Sequence, residues 1–117
     1  MFVADGAKSI LAGLGNMKAA MIADYAKFMP PTDEVRKKMN EDYANNFTIT
    51  YGKKYIKITE KGGGVKAFVV GVDNDKKFRK GDILKPAGYN APARNAARGN
   101  ILDGGYPINW TGPLYLK

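Results

Sequence analysis

The sequence predicts an α+β fold: two N-terminal helices, an antiparallel sheet of four or five strands over residues 46–85, a short helix at 91–98 and an irregular tail. Three observations carry this. Apolar residues recur every three or four positions up to residue 45 and every second position after it. The links between the strand-like runs are too short for crossovers, which argues against a parallel sheet. Beyond residue 100 the chain is punctuated by Gly104-Gly105, Pro107 and Gly112-Pro113, which suit turns better than regular elements. At 117 residues the chain is long enough for one domain with one small core.

Residues 7–29 read as a helix because Ile10, Leu11, Leu14, Met17, Met21, Tyr25 and Phe28 form a single stripe. Gly13 and Gly15 weaken its middle and Asn16 offers a fresh cap, which allows a break near Gly15. Pro30-Pro31 ends the helix. Thr32 is the expected cap of the second helix, with Asp33 and Glu34 in its first turn. Val35, Met39 and Tyr43 give that helix an apolar seam. A Met and aromatic stripe of this kind is more often core or a subunit contact than a cofactor box.

Phe47, Ile49 and Tyr51 then alternate with polar residues, which marks a half-buried strand, and Gly52-Lys53 makes a turn. Tyr55 to Thr59 alternates again, with Ile56 and Ile58 inward and Lys57 outward. Gly62-Gly63-Gly64 is a connector and not a phosphate loop, since it runs into a strand instead of a Gly-Lys-Ser/Thr helix start. Val65 to Val72 is apolar apart from Lys66, as expected of a central strand covered on both faces. Asp73-Asn74-Asp75 turns the chain, Asp82 to Lys85 forms the next strand, and Pro86 stops it. Asn90 reads as a helix N-cap, Pro92 as a first-turn residue and Gly99 as the residue after the last turn. Arg94 and Arg98 would then share one helix face. In the tail, Ile108, Trp110, Leu114 and Leu116 suggest a strap closing the core.

Composition narrows the chemistry. The chain has no Cys and no His, which removes disulfides, the usual zinc sites, Ser-His-Asp and Cys-His catalysis, and His acid–base chemistry. Asp73-Asn74-Asp75 matches the start of a calcium loop but lacks the later Gly and Glu. No pair of acids is spaced for carboxylate catalysis. A non-enzymatic protein with no cofactor and no metal is therefore expected. No membrane span and no signal peptide are read, so an intracellular place is expected.

Charge is unevenly placed. Residues 1–45 hold six Lys/Arg and six Asp/Glu, whereas residues 46–117 hold thirteen and five. The whole excess of +8 lies in the second part, the basic sheet part of the single domain, and points to a polyanion partner. Lysines that discourage strand-edge pairing would give the same imbalance. Lys76, Lys77, Arg79, Lys80, Lys85, Arg94 and Arg98 are the candidate phosphate contacts, with Tyr89 as a stacking platform for a base. Arg94 and Arg98 could instead cap loop carbonyls or pair with Asp82 and Asp103.

Lys54-Tyr55-Ile56-Lys57-Ile58, Phe68-Val69, Gly81 to Ala87, Ala91-Pro92-Ala93 and Arg98-Gly99-Asn100-Ile101 together carry a resemblance. Over roughly residues 25–102 the chain resembles a family of small uncharacterised proteins of tailed bacteriophages. It departs from that pattern at Gly88-Tyr89 and in a longer loop at 73–80. The resemblance implies a phage or phage-like source, hence an infected host's cytoplasm or a virion, and implies no substrate. The expected function is non-catalytic nucleic-acid binding. The alternative is a structural or assembly protein that self-associates through its N-terminal helices, which hold much of the apolar surface and no net charge.

Overall fold

The computed structural model, which describes residues 1–114, opens α1 (Ile10–Phe28) at Ser9, whose hydroxyl accepts a 3.1 Å hydrogen bond from the Ala12 amide. That cap satisfies one of the unpaired amides of a first turn. The helix runs unbroken through Gly13 and Gly15. Gly13 is buried, and a Cβ there would meet the Ile101 carbonyl oxygen at 2.8 Å. Close packing on residue 101, not a break, accounts for that glycine. Leu14, Met17, Met21 and Tyr25 are the buried stripe.

Asp33, one residue after the expected Thr32, caps α2 (Glu34–Asn45), its carboxylate accepting from the Arg36 amide at 2.9 Å. Asn40 Nδ2 donates to the Met29 carbonyl at 2.7 Å and holds the two helices as a hairpin. Of α2's twelve residues only Tyr43 is buried.

The sheet is antiparallel throughout, in the order β2 (Phe47–Tyr51), β3 (Tyr55–Glu60), β4 (Gly64–Val70), β5 (Ile83–Leu84). Ile49 pairs with Ile58 and Ile58 with Ala67, so these apolar positions line one face. β4 lies inside the sheet and is covered on both sides, as its apolar run predicts. Ala67 and Val69 pack with Leu14, Met17 and Met21 of α1. Phe68 and Val70 pack on the other side with Phe78 and Leu84. The architecture is α+β.

No helix forms at 91–98. Pro86 does not end the sheet part. It opens β6 (Pro86–Gly88), which turns at Tyr89-Asn90 into β7 (Ala91–Pro92). The chain then runs extended beside β5. The Arg98 amide donates to the Ile83 carbonyl and the Ile83 amide to the Gly99 carbonyl, both at 2.8 Å, and Asp82 bridges Asn100. Backbone groups that a helix would pair internally are taken by a neighbouring strand, so the local signals of Asn90, Pro92 and Gly99 lose to tertiary pairing. Gly99 is needed for another reason. Its φ is +146°, and a Cβ would meet that of Tyr106 at 2.5 Å.

A last pair, β1 (Phe2–Val3) with β8 (Tyr106–Pro107), clasps the far ends of the described chain together. Ile108 is buried and Trp110 half-buried, so the tail does close the core; Leu116 lies outside the described residues.

An aromatic cluster fills the angle between the helices and the tail. Tyr25 stacks on Tyr43 at 4.3 Å between centroids, and Trp110 stands edge-on to Tyr25 at 5.3 Å. The Tyr43 hydroxyl donates to the Trp110 carbonyl. Burial pushes the Tyr43 phenol up. Behind the rings lie the buried Lys66 and Glu60, 3.9 Å apart. Lys66 Nζ sits 5.4 Å from the Trp110 ring centroid, and burial lowers its pKa while Glu60 opposes the shift. No helix among the described residues is long and apolar enough to cross a membrane.

Candidate nucleic-acid interface

The loop between β4 and β5 is organised by one carboxylate. The Asp75 side chain is inaccessible to solvent. Its Oδ1 accepts from the Lys77 and Phe78 amides at 2.8 and 2.9 Å. Arg94 grips both oxygens, at 3.0 and 3.1 Å, and Lys54 Nζ lies 2.9 Å from Oδ2. Arg94 first, then Lys54 and the two amides, hold this carboxyl well below the usual carboxylate range. Asp75 therefore faces protein cations, which is not the environment of a calcium ligand. Arg94 also donates to the Tyr55 hydroxyl and lies over the Phe78 ring, and Lys77 Nζ donates to the Arg94 carbonyl at 2.6 Å.

The remaining sequence-predicted residues are dispersed. Arg79 turns away to Asp103 at 2.8 Å. Lys85 Nζ donates to the Pro113 carbonyl, and burial, with the nearby charge of Arg98, lowers its pKa. Arg98 is half-buried, reaches Asn95 Oδ1 at 3.3 Å, and shares no face with Arg94 because the helix that would align them is absent. Its Nε and Nη1 have no hydrogen-bond partner among the described residues. Lys76 and Lys80 are exposed and make no ion pair among the described residues. Tyr89 is 66% exposed at the β6–β7 tip.

The structure adds residues outside the sequence-predicted set of contacts. A cleft of about 200 Å³ is lined by Thr50, Lys53, Lys54, Tyr55, Lys57 and Asn90, with Gly52 and Phe68 completing it. No carboxylate lines it. Lys57 Nζ sits 4.0 Å from the Tyr89 ring centroid and donates to Asn90 Oδ1 at 3.0 Å. The signal for Lys57 was present, since strand alternation points it outward. The arrival of the hairpin tip above it has no local signal.

No curated protein and no solved structure matches the chain. A model described as a family of unknown function, DUF7717, matches residues 6–115, and the chain belongs to that family.

Proposed function

We propose that the cleft between the β2–β3 turn and the β6–β7 tip binds nucleic acid without catalysing a reaction on it. One observation carries this reading. The Lys57 ammonium is fixed by two neutral partners, the Tyr89 ring and the Asn90 amide, so its charge stays uncancelled in a cleft with no carboxylate. Lys53 beside it makes no ion pair among the described residues. Cations for phosphates next to exposed ring surface for a base are what sequence-tolerant binding needs. Lys76 and Lys80 are exposed and make no ion pair among the described residues, adding positive charge outside the cleft, whereas Arg94 contributes less because Asp75 already holds it. The resemblance to small proteins of tailed phages supports a phage setting for this activity.

A gel shift with single- and double-stranded DNA and RNA at several salt concentrations tests the reading. Wild type should bind with a steep salt dependence. A Lys53→Gln/Lys57→Gln variant should shallow the slope by roughly one to two units. Binding of the double variant with unchanged affinity and slope would sink the proposal.

A further inference from the structure

Thr50, Lys57 and Phe68 are register partners on β2, β3 and β4, so their side chains form one row on the same face of the sheet. Gly52, Lys53 and Lys54 of the β2–β3 turn and Asn90 of the β6–β7 tip complete the cleft around this row. Phe68 is buried at the inner end of the row, which makes the cleft a recess there. A lysine ammonium can only donate, so Lys57 holds the Asn90 amide by its Oδ1 and leaves the NH2 group to a ligand. Thr50 adds a hydroxyl. Lys54 is spent on Asp75, whereas Lys53 and Lys57 make no ion pair among the described residues. The recess therefore offers donors and two uncompensated cations, with no carboxylate on its walls.

The matching ligand accepts hydrogen bonds only and carries two negative charges. We infer that the cleft takes a phosphomonoester, the terminal phosphate of a nucleic-acid strand. This rests on the nucleic-acid reading above and narrows it from the backbone to a strand end. A phosphomonoester carries about −1.5 to −2 charges at pH 7 and three terminal oxygens, which suits two ammoniums and the Asn90 NH2 group. A backbone diester carries one charge and would leave one ammonium uncancelled. At about 200 Å³ the cleft is also smaller than the roughly 300–1,000 Å³ of a site for a drug-sized molecule, as a compact anion requires.

The test is fluorescence anisotropy with one internally labelled single-stranded oligonucleotide that carries no terminal phosphate, a 5′-phosphate or a 3′-phosphate. A mononucleotide and inorganic phosphate serve as competitors. At least one phosphorylated form should bind about tenfold tighter than the bare strand. The charged or titratable side chains at the cleft are Lys53, Lys54, Lys57 and Tyr55, with Asp75 behind Lys54. The chain has no histidine, so no side chain of ordinary pKa titrates between about pH 5.5 and 7.5. The phosphate itself does, near pH 6, so the preference should be full at about pH 7.5 and shrink at about pH 5.5 while bare-strand binding stays level. Asn90→Asp, at an exposed position, would cancel Lys57 and repel the phosphate, and should abolish the preference. Lys53→Gln/Lys57→Gln should abolish it as well. Equal binding of the three strands overturns the inference and leaves the nucleic-acid reading standing, as does a preference untouched by pH or by Asn90→Asp. A mononucleotide that binds as tightly as the phosphorylated strand keeps the phosphate site but overturns the strand as its source, and with it the nucleic-acid reading. No binding by any of them overturns both.

Discussion

Arg94 and Lys57 flank the same tyrosine-lined corner and differ in what cancels them. Arg94 spends both terminal guanidinium nitrogens on the buried Asp75 carboxylate and touches Tyr55 as well. Lys57 meets an amide oxygen and a ring face. Both count equally in a net charge of +8. The partner, and not the charge, decides whether a cation holds the fold or is available to a ligand. Arg79, facing Asp103, belongs with Arg94; Lys53, Lys76 and Lys80 belong with Lys57.

The comparison breaks most severely if its shared support is removed. Phe68 is buried beneath this corner, with its ring edge-on to Tyr55 at 6.1 Å. Phe68→Ala should cost about 3–5 kcal/mol in urea unfolding and take both sets of cations with it. A loss under about 1 kcal/mol would show that the corner does not rest on this ring.

Next in size is the Asp75 centre. Asp75→Asn leaves Arg94 and Lys54 close together with their counter-charge gone. It should lower the melting temperature clearly, by less than Phe68→Ala, and leave the salt slope of binding unchanged or steeper. The pH dependence has a fixed sign. The folded carboxyl titrates below its unfolded value of about 4, so its stabilisation is complete above that pH and is lost as pH falls below it. The difference in melting temperature between wild type and Asp75→Asn should hold from neutrality to about pH 5 and shrink below about pH 4. A constant difference down to acid pH would remove Asp75 from its place at the centre.

On the other side of the comparison, Tyr89→Ala should cost about 1–3 kcal/mol of single-strand binding, little of duplex binding and no stability. The smallest effect is that of Lys57→Gln alone. It should weaken binding evenly across sequences and shallow the single-strand salt slope by about 0.7. If Arg94→Gln has that signature and Lys57→Gln does not, the two cations have been assigned the wrong way round.

Much of the fold is legible in the residues themselves. The periodicity of Leu14, Met17, Met21 and Tyr25 gives α1, and the alternation through Ile56 and Ile58 gives β3. The apolar run from Val65, interrupted only by Lys66, matches a β4 covered on both faces. Those patterns are local and repeat over several turns or pairs. Asn90, Pro92 and Gly99 were misleading because each signals a helix end only when the chain between them pairs with itself. Here the pairing partner is Ile83. The candidate site was half legible for the same reason. Tyr89 and the lysines are visible as types, while Asp75 as an anchor and Asn90 as a clamp on Lys57 arise from contacts far apart in sequence.

The β1–β8 clasp has a kinetic consequence. It closes a loop that contains every other element of the described chain, so no local nucleus can bring it together. The β2–β3–β4 meander closes short loops and is expected to fold first, with the clasp latching afterwards. Its bonds, such as the Gly105 amide to the Val3 carbonyl, should exchange their protons ahead of the β3–β4 ladder. If the latch opens first, Val3 and Tyr106 are uncovered ahead of the β3–β4 ladder. Equal protection of the clasp and the ladder would show a single cooperative unit instead.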